Sequence, residues 1–148
     1  MAMYSDPRLS GYLTRALSHE LAAVQQYLMQ SKLVELWGLA DLSARMRSDV
    51  NEELVHAERL MTRMLLLGIP SNATQLPPVR TGRSVEEMLL IDRALEIEAI
   101  HLYEEAVHYC ARIRDSETQA LCADILKDEL GHLAELEQML TEIRKGAT

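Results

Sequence analysis

Four stretches of the chain return apolar residues every three or four positions, the period of a helix that buries one face. The first opens at Ser5-Asp6-Pro7, a polar cap ahead of a proline suited to the first helical turn. Its stripe runs Leu9, Leu13, Ala16, Leu17, Val24, Tyr27 and Val34 and ends near Gly38. The second runs from about Leu42 to Leu67 with Met46, Val50, Ala57, Leu60 and Met64 on its stripe, and stops at Gly68-Ile69-Pro70. Ser71 to Arg83, with Asn72, Pro77, Pro78 and Gly82, has no helical period. The third helix begins at Ser84, where Glu87 completes a capping box, and Val85, Leu89, Ala99, Tyr103, Ala106 and Cys110 carry it to about Ile113. After the polar turn Arg114-Asp115-Ser116, the fourth stripe is Leu121, Ile125, Leu136, Met139 and Ile143.

Turn lengths set the topology. The first two helices, and the last two, are joined by short turns, so each pair reads as an antiparallel hairpin. A helix of about 26 residues spans roughly 39 Å, a distance that about 16 extended residues cover at about 3.3 Å each. The expected fold is therefore all-α, an antiparallel four-helix bundle with a long crossover between helices two and three. An up-down-up-down bundle with a long central loop is the alternative.

Composition agrees: the chain is rich in Leu, Ala, Glu and Met, has no Phe, and at 148 residues suits one domain covering 1–148. A net charge of −8 with scattered basic residues argues against a nucleic-acid partner. There is no basic-then-apolar leader and no apolar run near the roughly 18 residues of a membrane span, so a cytoplasmic protein is expected. Cys110 and Cys122 read as reduced core thiols.

Polar residues interrupt the stripes at core-facing positions: Glu20 on helix one, Glu53 and His56 on helix two, Glu96 on helix three, Glu129 and His132 on helix four. Burying a carboxylate without a partner is costly, so four in one core require compensation. Their spacing is a repeat. The interval from Glu20 to Glu53 equals that from Glu96 to Glu129, and each second Glu opens a Glu-x-x-His step. Tyr27 and Tyr103 stand at matching places after the first Glu of each pair. The halves match throughout when Glu20 is aligned with Glu96, as the halves of a duplicated hairpin do. With turns near residues 39 and 115, Glu20 and Glu96 precede their turns by equal lengths of chain. Glu53 and Glu129 follow those turns by equal and slightly shorter lengths, so all six side chains can meet near mid-bundle. One Glu from each of two helices and a Glu-x-x-His from each of the other two is the ligand set of carboxylate-bridged two-metal bundles. Four carboxylates match two divalent cations in charge, and mixed carboxylate and imidazole ligation suits iron or manganese. Tyr27 and Tyr103 read either as packing or as hydrogen-bond partners of a ligand, Asp92 as either a supporting or a solvated acid, and Glu52 and Asp128 as exposed acids.

From about Leu9 to Arg144 the sequence resembles the bacterioferritins. The resemblance is carried by His19-Glu20-Leu21-Ala22-Ala23-Val24-Gln25-Gln26-Tyr27, Trp37-Gly38-Leu39 and Glu53-Leu54-Val55-His56-Ala57-Glu58-Arg59. Val85-Glu86-Glu87-Met88-Leu89, Ala94-Leu95-Glu96 and Ile125-Leu126-Lys127-Asp128-Glu129-Leu130-Gly131-His132 extend it. It implies a ferritin-like bundle with a ferroxidase centre that oxidises Fe2+ with O2 or peroxide, in a dimer within a 24-subunit cage storing ferric mineral. By resemblance Glu53 and Glu129 bridge two irons, Glu20 and His56 complete one coordination sphere, and Glu96 and His132 the other. Three features depart from the family's pattern. Leu54 stands where the family has a haem-ligating methionine, and leucine cannot ligate iron, so this subunit is not expected to bind haem. Ser48 and Glu52 stand where a His and an Asp often hold a further iron. The sequence ends at Thr148, before the fifth helix, which bears on the four-fold contacts and on the assembly size. The alternatives are a rubrerythrin-like di-iron peroxidase, against which the lack of a Cys-x-x-Cys pair counts, and a partner subunit co-assembling with a haem-binding homologue.

Overall fold

The structure is a computed structural model that describes residues 6–70 and 76–146. Ser5 of the expected first cap and residues 71–75 of the central segment lie outside the described residues. Four helices follow in order: α1 (Pro7–Leu36), α2 (Ala40–Leu66), α3 (Val85–Arg112) and α4 (Ser116–Gly146). Their ends obey local chemistry. Asp6 accepts hydrogen bonds from the backbone N–H groups of Arg8 and Leu9, with Pro7 in the first turn. Ser84 accepts from the N–H of Glu87, whose carboxylate reaches back to the N–H of Arg83. Gly38 and Gly68 follow α1 and α2 at φ of 84° and 73°, the left-handed conformation that a side chain disfavours.

Side-chain bonds between helices reveal their directions. Tyr27 on α1 meets Glu96 on α3, and Tyr103 meets Glu20, so residue numbers fall on α3 as they rise on α1. Arg59 with Asp124 and Arg45 with Glu135 show the same opposed sense for α2 and α4. Since α1 runs against both α2 and α3, the latter two run in the same direction, and the chain must return along the bundle between them. That is the long crossover; the up-down-up-down alternative is excluded. The returning segment is held to the middle of α1 by Gln26, whose amide oxygen accepts from the Arg80 N–H at 2.9 Å and whose amide nitrogen donates to the Arg80 carbonyl.

The core has two apolar ends. At one, Leu9, Leu13 and Leu17 pack with Leu60, Met64 and Ile125. At the other, Val34, Met46, Met88, Leu89 and Leu140 pack together. Cys110 and Cys122 are buried free thiols in contact across α3 and α4. Arg63 ties the end of α2 to the α3–α4 turn, donating to Thr118 Oγ1 at 2.8 Å, Glu117 at 2.7 Å and Asp115 at 3.2 Å. Among the described residues, no helix is long and apolar enough to cross a membrane. Between the apolar ends lies a polar layer.

Candidate metal centre

All six polar residues singled out in the sequence converge in that layer. Glu20, Glu53, His56, Glu96 and Glu129 are at most 2% exposed, and the His132 side chain is 12% exposed. Two quartets form: Glu20, Glu53, His56 and Glu129, and Glu53, Glu96, Glu129 and His132. Within each quartet the candidate ligand atoms lie within 4.8 Å of one another. Glu53 and Glu129 belong to both, the position a bridging carboxylate occupies between two ions.

The histidines face inward through Nδ1. His56 Nδ1 lies 3.0 Å from Glu129 Oε1 and 3.5 Å from Glu20 Oε2. His132 Nδ1 lies 3.3 Å from Glu53 Oε1 and 3.8 Å from Glu96 Oε1. These are ion-pair distances without hydrogen-bond geometry. Glu20 Oε2, Glu53 Oε1, His56 Nδ1, Glu96 Oε2 and Glu129 Oε1 are buried and lack hydrogen-bond partners. Such a concentration of unsatisfied buried donors and acceptors is abnormal for a finished core, and it fits a pair of divalent metal ions, which would use these same atoms.

The outer atoms of the set, in contrast, are satisfied. Tyr27 donates to Glu96 Oε1 at 2.7 Å and Tyr103 to Glu20 Oε1 at 2.6 Å. His56 Nε2 pairs with Asp128 at 2.8 Å, and His132 Nε2 pairs with Glu52. A carboxylate on the outer nitrogen fixes the ring so that the inner nitrogen stays free for a metal. These contacts decide what the sequence left open. Both tyrosines orient a glutamate. Glu52 and Asp128 are about half exposed, as expected of surface acids, yet each steers a histidine. The signal was present in the repeat: Glu52 and Asp128 occupy equivalent positions in the two halves, each immediately before a shared glutamate. Asp92 is buried at 3% exposure, which rules out the solvated reading.

Electrostatics describe the metal-free state. Burial raises the Glu20 carboxyl well above its ordinary range, and the close approach of Glu53 adds to this. Burial, then Glu129, pushes Glu96 up to about 11. Burial opposes ionisation of Glu129 too, but His132 and His56 hold it well below the usual carboxylate range. Glu53 is lowered by Glu20 and both histidines against the same burial. Desolvation works against both imidazolium ions, yet the surrounding glutamates raise His56 far above its usual value and His132 to about 12. Without metal the cluster therefore favours protons on the imidazoles and on Glu20 and Glu96 over the four bare charges the sequence count suggested. Over it, α2 and α4 leave a surface depression lined by His56, His132, Asp128 and Gly131, and a side chain at Gly131 would meet open space.

Fold and site together define a ferritin-like helical bundle with two adjoining carboxylate-histidine clusters that could each hold a metal ion. The Ferritin-like domain family matches residues 11–146. The chain is 35% identical to a bacterioferritin of Rhodobacter capsulatus over 94% of its own length and 86% of the relative's. It is 35% identical to a bacterial ferritin of Synechocystis over 97% and 92% of the two chains. Its backbone superposes on a solved Rhodobacter capsulatus bacterioferritin with a TM-score of 0.93 at 34% identity, covering 97% of this chain and 89% of that one. That structure is described as having a metal-free dinuclear site and a haem iron on a crystallographic special position. The chain belongs to the bacterioferritin family.

Metal uptake must expel the protons held at the apo centre, because the ligating forms are neutral imidazole and carboxylate. With raised pKa values at Glu20, Glu96 and both histidines, the protons remain bound at neutral pH and leave when metal enters. Addition of redox-inert Zn2+ to metal-free protein at pH 7 in weak buffer is expected to release protons as the metal binds, with affinity rising as pH increases. A pH-indicator dye measures this, and metal uptake without proton release contradicts the charge assignment.

Proposed function

We propose that this chain is an iron-storage ferroxidase, with Fe2+ as substrate, oxidised to Fe3+ by O2 or peroxide at the two-quartet centre and stored as ferric product. The observation that carries the reading is the sharing of Glu53 and Glu129 between the quartets. Two ions held side by side supply two electrons together, matching reduction of O2 to peroxide or of peroxide to water. In this reading Glu53 and Glu129 bridge the two Fe2+ ions. Glu20 and His56 hold one ion, and Glu96 and His132 the other.

The chain's own groups prepare that chemistry. Tyr103 and Tyr27 fix one oxygen of each terminal glutamate and leave the other turned inward without a protein partner. Asp128 and Glu52 orient the imidazoles. Packed apolar ends keep bulk water from the centre along the bundle axis, while the depression between α2 and α4 gives ions and oxidant a lateral approach.

Storage requires an assembly. The family resemblance supports a dimer within a 24-subunit cage, located in the cytoplasm. Haem does not fit the residue available for it: Leu54, 39% exposed on α2, offers no sulfur or nitrogen to an iron. We infer that this subunit alone does not bind haem through that position; a haem-binding homologue as co-assembling subunit remains compatible with the same bundle. Haemin added to purified protein is expected to give no stoichiometric, axially ligated Soret band, and an intense band at one haem per two chains contradicts this.

Aerobic Fe2+ oxidation tests the main reading. Glu53→Ala removes a ligand common to both ions and is expected to lower the initial rate by at least about 100-fold, on the scale of losing about 2.7 kcal/mol of transition-state stabilisation. Equal initial rates for the wild type and the variant contradict the ferroxidase assignment. Sedimentation of the same wild-type preparation at a mass of one or two chains contradicts storage while leaving oxidation intact.

A further inference from the structure

One polar cluster outside the six centre residues is not explained by them. Beyond Tyr27, on the side of the α1–α2 turn, the bundle forms a small, partly open chamber of about 20 Å3, room for one water molecule or one ion. Asp49 from α2 and Asp92 from α3 line it, with Met46, Leu89 and Met139 forming apolar wall and Glu96 and His132 separating it from the centre. Asp92 is 3% exposed, and its Oδ1 is buried with no hydrogen-bond partner. Gln30 of α1 faces Asp92 and is fully buried, and neither its amide oxygen nor its amide nitrogen has a hydrogen-bond partner. Asp92 and Gln30, from two helices, thus occupy the interior with unspent bonding capacity, and the half-buried Asp49 of α2 lines the same chamber.

The internal repeat shows that the fold does not need them. In the alignment that sets Glu20 on Glu96, Gln30, Asp49 and Asp92 correspond to Ala106, Ile125 and Ala16. All three of those are buried core residues, at most 2% exposed. The bundle packs the equivalent space on the other side of the centre with hydrocarbon, so the polar set on this side is an added feature with a desolvation cost. Its chemistry selects a ligand. Two carboxylates exclude an anion, and hard oxygen donors suit a divalent cation of the Mg2+, Mn2+ or Fe2+ kind. The two basic side chains that line the chamber are committed elsewhere. Arg45 is about half exposed and engaged with Glu135 at 3.4 Å, and His132 is held by Glu52 and the central glutamates. Burial pushes the Asp92 carboxyl up to about 7, with the Gln30 amide opposing and the charge of Asp49 adding to the rise. Burial likewise lifts Asp49 to about 6, against the pull of His132.

We propose that Asp49, Asp92 and the amide oxygen of Gln30 form a third divalent-cation site, separate from the two-metal centre. With the four glutamates matched by two ions, Asp49 and Asp92 carry two further charges, which one more divalent ion balances. The chamber lies against His132 and Glu96 and has the Arg45–Glu135 pair among its lining residues. It therefore acts as a holding point from which an ion moves into the adjacent half of the centre. That role, though not the binding site itself, rests on the function proposed above.

Crystals of the full chain soaked anaerobically in Mn2+ test it by anomalous scattering. The expected result is two peaks among the glutamates and histidines and a third between Asp49 and Asp92. Asp92→Asn should remove the third peak and keep the other two. The triple variant Gln30→Ala, Asp49→Ile, Asp92→Ala, which copies the apolar half of the repeat, should do the same. Equilibrium dialysis with Mn2+ should fall from three ions per chain to two in both variants. A chamber holding only water or protons, with two peaks at the centre, overturns the proposal, as does a third peak that survives Asp92→Asn. Loss of the two central peaks with retention of the third would instead overturn the two-metal reading and leave the third site standing.

Discussion

Four glutamates and two histidines buried at mid-bundle are the constraint on which the rest of the molecule depends. A helical core gains its stability from apolar burial, and ionisable groups within it are favourable only when their charges are matched and their bonding capacity is used. Here the match in the metal-free state is internal: protons on the imidazoles and on two of the carboxyls balance the remaining pair. This is a neutral arrangement but not a satisfied one, since five inward atoms of the set lack hydrogen-bond partners. Ions that replaced the protons would remove that deficit. The same apolar ends that make the layer costly would also keep such ions in a dry, low-dielectric environment, where ligand geometry is held by packing.

The internal duplication explains how one chain builds a two-sided site. Tyr27 to Glu96 and Tyr103 to Glu20 are one bond written twice, and so are His56 to Asp128 and His132 to Glu52. Each hairpin supplies its own shared glutamate and histidine but takes the orienting partner from the other hairpin. The halves therefore lock together through the outer contacts of the centre, and the parallel course of α2 and α3 follows from this exchange. The crossover, fastened by Gln26 to Arg80, is what lets the second hairpin arrive in that orientation. Departures from the duplication are correspondingly informative, as with Gln30, Asp49 and Asp92 against Ala106, Ile125 and Ala16.

Much of this was legible in the sequence because helical period and repeat spacing act over fixed distances. The stripes place the helices to within two or three residues of their ends, since Gly38, Gly68 and Ser84 punctuate them chemically. The six centre residues stood out as ionisable groups on apolar faces, and the structure brings all of them together. What stayed hidden depends on contacts between helices that no single stripe encodes. Glu52 and Asp128 lie on exposed flanks and look like ordinary solvated acids until α2 and α4 are set side by side. Gln30 and Asp49 attract no notice singly, because one polar residue near a stripe has many harmless explanations. The protonation state of the centre was also beyond charge counting, for it arises from close approaches between groups on different helices, such as His56 Nδ1 at 3.0 Å from Glu129 and His132 Nδ1 at 3.3 Å from Glu53.

The central claim is that the glutamate layer is a liability to the empty fold and an asset once ions neutralise it. The most direct measurement is thermal unfolding of metal-free and Co2+-saturated protein, for the wild type and for the Glu53→Gln, Glu129→Gln double variant. Binding at about 100 times the dissociation constant stabilises a fold by about 2.7 kcal/mol, which corresponds to a rise of roughly 5–10 °C in a chain of this size. The account predicts that wild-type Tm rises by at least about that amount with Co2+. The double variant should unfold no earlier than the metal-free wild type and should not respond to Co2+. A double variant that retains the full metal-dependent rise would contradict the account, because Glu53 and Glu129 would then not be holding the ions.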